Sequence, residues 1–334
     1  MAWYNTTGNE SGIVLSTRVR LARNSEDYPF PARLDVRERE RVCEIVREAL
    51  SDYTDEKLTY RKMSELEPYE AVSLAEKHLI SPGFAYETQG RALVLSENEE
   101  VSIMLCEEDH IRIQVVLPGL ALTEAWEKAD KIDSVIEKQI NYAFREHLGY
   151  LTQCPTNLGT GMRASVMLHL PALTGKGAMR RLSTTVAKLG LTLRGSFGDG
   201  NEGTGNIYQL SNQVTLGISE EAAIKNLNSI AIQIITQEKQ ARALLVKDED
   251  FIDKIYRSWG VLRSAYKLSS RELTNLVSYV TVGACEGIID VPSDKLIGAV
   301  IELQPATLNV AQGEKLTENQ RDILRAQKVR ELLG

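Results

Sequence analysis

The sequence predicts an α+β protein, with an antiparallel sheet flanked by helices and a helical region at its C-terminal end. Short segments that alternate apolar and polar residues recur as far as about Val246, and charged or glycine-containing turns separate them. Beyond that point strand patterns fade and three helical stretches follow, at 249–268, 270–283 and 317–333. We therefore predict two domains, a mixed α+β domain at 1–246 and a helical domain at 247–334.

The first domain contains strands and helices in alternation. Alternation with a period of two predicts strands at 13–21, 91–96, 101–106, 110–117, 163–170, 192–194, 207–211 and 215–217. Apolar spacing typical of amphipathic helices predicts helices at 35–50, 68–79, 122–148, 178–189 and 220–245. In the second domain, the piece between the helices, with Pro292, Pro305 and Gly313, is expected to be loop-rich.

The composition excludes several classes of protein. The chain has 334 residues, 43% of them hydrophobic and 25% charged, which are globular proportions. A net charge of −7 argues against a general nucleic-acid binder. The sequence has neither an apolar run of about 18 residues nor a basic-then-apolar leader, so we expect a cytoplasmic protein without a membrane span. Four scattered cysteines without a CxxC pair fit a reducing compartment.

Two charged motifs are candidates for a functional site. In STRVRLAR, Arg18 and Arg20 lie two residues apart on a predicted strand, so both point to one face about 7 Å apart. In CEEDHIR, Glu107 and Glu108 stand at a tight turn shortly before Arg112. Taken alone, the first motif is more often a solvated strand face and the second a charged turn. The functional alternative is a catalytic carboxylate beside phosphate-binding arginines.

Two glycine-rich segments add further candidates. CPTNLGTGMR, from Cys154 to Arg163, has a turn whose glycines let backbone N–H groups approach an anion, but it lacks the GK[ST] of a P-loop. RGSFGDGNEGTG, which begins at Arg194, contains a formal GxGxxG. Because a predicted strand follows it, we reject a dinucleotide fold and predict an acidic flap over a site.

Together the motifs bring five arginines to one plausible sheet: Arg18, Arg20, Arg112, Arg163 and Arg194. Guanidinium groups this close repel one another unless an anion lies between them. A nucleotide polyphosphate with Mg²⁺ fits, because phosphoryl transfer depends mainly on positioning and charge stabilisation.

The four motifs, in this order and followed by YQLSN, resemble those of phosphagen kinases such as the creatine and arginine kinases. The resemblance extends from about residue 12 to 245. It implies a glutamine-synthetase-like catalytic domain and transfer of the γ-phosphate of ATP, with Mg²⁺, to a guanidino nitrogen. It also implies that the five arginines hold the nucleotide phosphates.

The same resemblance implies roles for other residues. Glu108 matches the catalytic carboxylate, with Glu107 beside it, and Cys154 matches a thiolate near the substrate. His78 matches a region where a histidine lies near the adenosine, although the surrounding segment diverges. A second substrate carboxylate on the flap is either Asp199 or Glu202, with Glu202 slightly favoured.

The layout departs from the kinases of small guanidino compounds. Those enzymes carry a helical N-terminal domain that closes over the free substrate, whereas here STRVR begins at residue 16, so we expect that domain to be absent. The arrangement resembles bacterial protein-arginine kinases of the McsB type. That resemblance implies protein substrates with exposed arginines, marking for a Clp ATPase and protease, inactivation of a heat-shock repressor and an activator of the McsA type.

The C-terminal helical region carries two further expectations. Arg321, Asp322 and Arg325 match the RDxxRA pattern of a phosphoarginine-binding pocket, and the two arginines are spaced to share one helical face. The alternative is ordinary helix-surface charge. The apolar residues at 252–262 and 273–282 predict a homodimer interface, with a self-contained helical core as the alternative.

Two other functions remain open on the sequence alone. A phosphagen kinase for free arginine is disfavoured by the missing N-terminal domain. A non-catalytic adaptor that binds phosphoarginine is disfavoured because Glu108 and all five arginines are present.

Overall fold

The computed structural model describes residues 2–196 and 203–333. It confirms the predicted α+β class, with an antiparallel sheet, flanking helices and a helical C-terminal region. The strands are β1 (Val14–Arg23), β2 (Leu58–Lys62), β3 (Ala92–Ser96), β4 (Val101–Leu105), β5 (Ile111–Pro118), β6 (Phe144–Arg145), β7 (Gly149–Tyr150), β8 (Met162–His169), β9 (Leu191–Gly195) and β10 (Ile207–Asn212).

The helices begin and end close to the predicted positions in most cases. They are α1 (Val36–Ala49), α2 (Pro68–Glu76), α3 (Pro82–Tyr86), α4 (Leu122–Glu137), α5 (Pro171–Gly175), α6 (Met179–Ala187), α7 (Glu220–Leu245), α8 (Glu249–Ser264), α9 (Ser270–Cys285), α10 (Ser293–Glu302), α11 (Pro305–Gln312) and α12 (Glu318–Leu333). Side chains at the N-caps fix several starts, as where Ser219 accepts a hydrogen bond from the Ala222 N–H.

Eight strands form one sheet in the order β2-β3-β4-β5-β1-β8-β10-β9. Every neighbouring pair is antiparallel. β1 therefore lies near the middle, between β5 and β8. Its register sets Arg20 opposite Gln114 on β5 and opposite Arg163 on β8.

One face of the sheet packs against helices and forms the main core. Alternate residues of the central strands, such as Val19, Ile113 and Val166, are fully buried there. α4 and α7 cover this face with their apolar stripes, including Ile132 and Ile234. Because side chains alternate along a strand, the intervening residues of β1, β5 and β8 must point to the opposite face.

Trp3 and Ile301 of α10 pack against Val116 of β5 on the opposite face, and α2 and α3 cover one end of that face. There Phe84 packs with Leu93 and Met104 in a second, smaller core. This cover stops before the centre of the sheet, so the polar side chains of β1, β5 and β8 remain accessible on the same face.

The helices after residue 247 have an apolar core of their own, which includes Ile255, Leu273 and Leu296. Helices α9, α10 and α11 all contact the first part of the chain; at α10, the Asn5 side-chain amide donates to Glu302 at 2.6 Å. Glu76 of α2 accepts hydrogen bonds from the N–H groups of Ala306 and Thr307, at 2.9 and 2.8 Å, at the start of α11. His169 Nε2 lies 2.8 Å from Ser278 Oγ of α9.

Three predictions of secondary structure are wrong. The helix predicted at 122–148 ends at Glu137, because the Ala143 N–H donates to the Asn24 carbonyl at 2.7 Å and the chain turns into the β6–β7 hairpin. Residues 215–217 form no strand, since the Thr215 hydroxyl donates to the Leu158 carbonyl at 2.7 Å and holds a loop instead. The piece expected to be loop-rich contains α10 and α11.

No helix in the described part of the chain is long and apolar enough to span a membrane.

Candidate active site

The predicted arginines share one face of the sheet. Residues paired across antiparallel strands point to the same side, and Arg20 pairs with Arg163, while Arg112 pairs with Ala22, which is in phase with Arg20. Arg194 pairs with Gln209, which in turn pairs with Met167, in phase with Arg163. The sheet therefore brings the five positions to the face that α4 and α7 leave uncovered. Arg194 lies outermost and is exposed.

The electrostatics of this face favour a bound anion. Burial, together with the charges of Arg163 and Arg112, lowers the pKa of Arg18 to about 10. Burial and the neighbouring charges of Arg18 and Arg112 hold the pKa of Arg20 well below its ordinary value, with Glu107 acting in the opposite direction. The protonated guanidinium groups repel one another in a half-buried place, and a polyanion between them would remove that cost.

The acidic turn lies between β4 and β5, beside the arginines. A hydrogen bond from the Cys106 N–H to the His110 carbonyl, at 2.9 Å, closes it. Arg112 contacts both carboxylates, through Nη1 to Glu107 and through Nη2 to Glu108 at 2.7 Å. The Glu108 side chain is 36% exposed, whereas that of Glu107 is 12% exposed. Glu108 therefore presents an accessible carboxylate, and Glu107 is largely occupied within the protein.

Ser81 supports Glu107 from the other side. It is the N-cap of α3, and its hydroxyl donates to Glu107 Oε1 at 2.5 Å while accepting from the Phe84 N–H. Glu107 is thus held between a hydroxyl and the Arg112 guanidinium. Ser81 could not be recognised from the sequence as part of the site, because it lies 26 residues before Glu107 and its local pattern predicts no contact with the acidic turn.

A set of hydrogen bonds that could not be predicted from the sequence connects the acidic turn to the Cys154 loop. The Asn24 side-chain amide donates to Asp109 Oδ1 at 2.7 Å, and the Gln153 N–H donates to the same oxygen at 2.9 Å. Asn24 Oδ1 in turn accepts from the His110 N–H. Asp109 is fully buried, and that burial raises the pKa of its carboxyl. This residue therefore positions two segments and does not itself face the site.

A cavity of about 210 Å³ lies between the acidic turn and the Cys154 loop. It is lined by Arg20, Ala22, Glu108, Arg112, Cys154, Thr156, Asn157, Gly161 and Arg163. The Cys154 thiol lies 3.0 Å from the Thr156 hydroxyl at the wall of this cavity. The carboxylate, the thiol and three of the arginines are thus brought together, as the motifs predict.

Glycine is required where this loop crosses the end of the sheet. Gly159 has a φ of +114°, and a Cβ there would lie 2.2 Å from the Thr215 carbonyl oxygen. The chain can pass at this distance only without a side chain.

A larger cavity, of about 490 Å³, adjoins the first at Arg20 and extends beneath α2 and α3. Arg18, His78 and Gln114 line it. Burial, and then the charge of Arg18, lowers the pKa of His78 to about 4, so its imidazole is neutral at physiological pH. The two cavities are placed to hold two substrates of one reaction, with Arg20 at the boundary between them.

Two predicted acids lie outside the described residues. These are Glu202 and its alternative Asp199, on the flap.

The predicted phosphoarginine-binding residues lie on α12, far along the chain from the arginine face. The Arg325 side chain is 1% exposed, and it donates to the carbonyls of Leu303 and Leu268 at 2.8 and 2.7 Å and to Asp322 at 2.5 Å. Arg321 is half-buried and donates to the Leu316 carbonyl. The phosphoarginine-binding role of these residues stays a prediction, and the two arginines differ in burial, since Arg325 is bonded to backbone carbonyls and Arg321 is half-buried.

The dimer interface expected from the C-terminal helices stays a prediction. Several apolar residues of the predicted ranges, such as Ile255, Leu262 and Val277, lie in the core of the C-terminal region itself, as the alternative has it. On α8 the exposed apolar residues are Tyr256 and Val261.

The family described as "ATP:guanido phosphotransferase, C-terminal catalytic domain" matches residues 41–241. The family described as "Protein-arginine kinase McsB C-terminal domain" matches residues 248–334.

The chain belongs to the ATP:guanido phosphotransferase family.

Curated relatives place the chain more narrowly within this family. It is 45% identical over 335 residues to a protein-arginine kinase of Halothermothrix orenii, covering 99% of this chain and 96% of that protein. It is 46% identical over 337 residues to a protein-arginine kinase of Brevibacillus brevis, covering 99% and 94%. The predicted enzyme class, protein-arginine kinase with ATP as phosphoryl donor, is confirmed.

Solved structures of other guanido phosphotransferases share the fold. The match to lombricine kinase has a TM-score of 0.63 at 25% identity and covers 71% of this chain and 69% of that one. The match to the duplicated taurocyamine kinase of Schistosoma mansoni has a TM-score of 0.63 at 26% identity and covers 82% of this chain but 40% of that longer one. The predicted phosphagen-kinase fold is thereby confirmed.

Ser81 provides a test of how the family's acidic turn is held. In Ser81→Ala, Glu107 loses a charge-assisted hydrogen bond, so we expect kcat to fall about tenfold while the KM for ATP changes little. Ser269→Ala is the matched control, since it removes the N-cap hydroxyl of α9 without touching the acidic turn. Steady-state kinetics of both variants decide the point. An equal loss of kcat in the two variants would show that Ser81 acts only as the N-cap of α3.

Proposed function

We propose that the chain transfers the γ-phosphate of ATP to a guanidino nitrogen of arginine side chains on other proteins. The observation that carries the proposal is the position of Glu108. Its carboxylate is accessible, it is anchored by Arg112, and it shares a cavity with Arg20 and Arg163.

The arginines hold the phosphates in this proposal. ATP lies with its phosphates across the five arginines, and its nucleoside lies in the larger cavity beside the neutral His78. The described residues include no group of three or more His, Cys, Asp and Glu side chains that could hold a metal ion. We therefore propose that Mg²⁺ arrives with ATP, coordinated by the phosphate oxygens and water, and that it offsets their negative charge.

Glu108 acts on the acceptor. An arginine guanidinium has a pKa far above physiological pH and stays protonated, so it attacks only as it loses a proton. As the new N–P bond forms and the bond from the γ-phosphorus to the bridging oxygen breaks, the N–H proton passes to the Glu108 carboxylate and ADP leaves. Glu107 fixes Arg112 beside the transferring group. Cys154, at the cavity wall, orients the guanidinium, and Glu202 or Asp199 is the proposed second carboxylate.

The acceptor is an arginine side chain of a protein. Glu108 faces solvent at the end of the sheet, so an arginine displayed on another chain has access to it. A kinase of free arginine remains the rival, because the carboxylate and thiol would serve either acceptor.

The C-terminal helices have a separate role in the proposal. We divide the chain into a catalytic domain at 1–246 and a helical domain at 247–334, which binds phosphoarginine at the site of Arg321, Asp322 and Arg325 and contributes a homodimer interface. Exposed Tyr256 and Val261 are the surface available on α8 for such an interface. Arg325 supports the site from below by holding Asp322.

Variants of the two tail arginines should behave differently. Arg325→Met leaves the Leu303 and Leu268 carbonyls without their donor, so we expect the free energy of unfolding to fall by about 3 kcal/mol. Arg321→Ala should cost less than about 1 kcal/mol but abolish phosphoarginine binding. Urea unfolding and calorimetric titration with phosphoarginine measure the two effects. Retained phosphoarginine binding in Arg321→Ala would remove this residue from the proposed site.

The cellular role follows the resemblance to kinases of the McsB type. We propose that phosphoarginine marks proteins for a Clp ATPase and protease and inactivates a heat-shock repressor in a stress response. We further propose a cytoplasmic enzyme with an activator of the McsA type.

A matched pair of assays tests the proposed activity. The enzyme and Mg-ATP are incubated with an unfolded, arginine-containing protein or with free arginine, and products are read by mass spectrometry at neutral pH. Phosphate on protein arginines supports the proposal. Phosphate on free arginine alone favours a metabolite kinase, and phosphate on neither points either to a missing activator or to the non-catalytic adaptor.

A further inference from the structure

A second groove lies directly behind the loop that carries Cys154. It has a volume of about 570 Å³ and is bounded by the end of α4, the β6–β7 hairpin and residues 215–220. Consecutive residues divide between this groove and the small active-site cavity. Ala22 lines the cavity and Arg23 the groove, while Gly161 lines the cavity and Thr160 the groove. The two spaces therefore meet at one end of the sheet, with loop 154–161 as their common wall.

Four of the described residues place exposed apolar side chains on the rim of the groove. Phe144 and Leu148 of the hairpin are exposed on one side, and Leu216 and Ile218 are exposed on the other. Phe144 and Leu216 retain 48% and 49% of their accessible surface. Grouped exposed apolar side chains rimmed by polar ones are typical of surfaces that bind another polypeptide.

The charge of the groove is negative. Asp130, Glu137 and Glu146 are exposed carboxylates along its wall. Arg23 is the one arginine or lysine among the described lining residues, and it is 1% exposed.

Arg23 does not offset these three carboxylates. Its guanidinium pairs with Asp133 at 2.7 Å and Glu220 at 3.1 Å and stacks 3.6 Å from the centre of the Tyr150 ring. The exposed carboxylates are therefore left to attract a cationic partner, and they would repel phosphate or nucleic acid.

We propose that this groove binds the polypeptide segment next to the target arginine of a protein substrate, through basic and apolar side chains of that segment. An extended chain that places its arginine beside Glu108 and continues over loop 154–161 enters the groove directly. This inference rests on the proposed function, because it takes the acceptor to be part of a polypeptide. It gives the enzyme a means of selecting protein arginines, since free arginine is too short to reach the groove.

Surface variants test the groove with the full-length enzyme. Leu216→Ser combined with Ile218→Ser removes apolar area, and Glu137→Lys reverses one charge. Leu244→Ser, at an exposed leucine on α7, and Glu40→Lys, at an exposed glutamate on α1, are the matched controls. All these positions are on the surface, so we expect the variants to fold.

Catalysis supplies the first readout. We expect kcat/KM for an unfolded protein acceptor to fall about tenfold in the groove variants, mainly through KM, and to stay within about twofold for N-acetylarginine amide. The control variants should match the unmodified enzyme with both acceptors. An unchanged kcat/KM for the protein acceptor, or an equal fall for both acceptors, would overturn the inference.

Binding supplies the second readout and does not depend on catalysis. A fluorescent peptide of lysine and leucine residues, without arginine, should bind the unmodified enzyme and bind the groove variants about tenfold more weakly. If no acceptor is phosphorylated even with an activator present, the proposed function fails while this measurement still decides the groove. A peptide that binds all variants equally, or does not bind at all, overturns the inference. Unchanged peptide binding with a shift from dimer to monomer would assign the groove to a second copy of the chain.

Discussion

Replacing Glu108 by Gln is expected to lower kcat by about 10²–10⁴-fold with a protein acceptor, because the amide cannot accept the guanidino proton. The KM for ATP should change little, since Arg112 keeps its contact with Glu107 and its place among the arginines. Single-turnover and steady-state kinetics measure the two quantities.

Glu97→Gln is the matched control, because this exposed glutamate lies at a hairpin turn of the same sheet and pairs only with the exposed Lys57. Activity of the Glu108 variant within about threefold of the unmodified enzyme would show that another group accepts the guanidino proton. The flap acids, Glu202 and Asp199, would be the next to replace.

Replacing Arg20 by Met is expected to separate stability from function. Arg20 lies between the two cavities and opposite Arg163, and burial with like charges holds its pKa well below the ordinary value. Loss of that charge should remove repulsion in the free protein and raise its Tm by about 2 °C. The same change should lower kcat/KM for ATP by about 10³-fold and remove the stabilisation that ATP confers on the unmodified protein.

Thermal unfolding with and without Mg-ATP, together with kinetics, measures these opposite effects. Arg61→Met, at an exposed arginine on β2 of the same sheet, should change neither. If Arg20→Met lowers the Tm of the free protein, Arg20 stabilises the fold. The inference that the five arginines repel one another until an anion binds would then be wrong.

The fold was predictable where local periodicity and burial agree. β1 and α7 were located within two residues of their observed bounds, because each presents one regular apolar stripe to the same core. The end of the helix predicted at 122–148 was not predictable, because the hydrogen bond between Ala143 and Asn24 joins segments far apart in sequence. β2 was missed for a similar reason, since its pairing with β3 stabilises a strand with little apolar content of its own.

The candidate site also has features that local sequence predicts and features that depend on contacts between distant segments. Spacing within β1 was enough to set Arg18 and Arg20 on one face, and the register then adds Arg163. Contacts between distant segments could not be predicted, as the hydrogen bond from the Ser81 hydroxyl to Glu107 illustrates. Spacing alone set Arg321 and Arg325 on one helical face, whereas the burial of Arg325 depends on the carbonyls of Leu303 and Leu268 in two other segments.

The central claim is that the arginine face and Glu108 act together on one transferring phosphoryl group. The most direct test is a crystal structure of the complete chain with Mg-ADP, nitrate as a planar mimic of that group, and an arginine-containing peptide. The account predicts nitrate in contact with Arg112 and Arg163, and a guanidino N–H hydrogen-bonded to Glu108 in the cavity beside Cys154. Nitrate bound away from these arginines, or a guanidinium that contacts neither Glu108 nor Cys154, would contradict it.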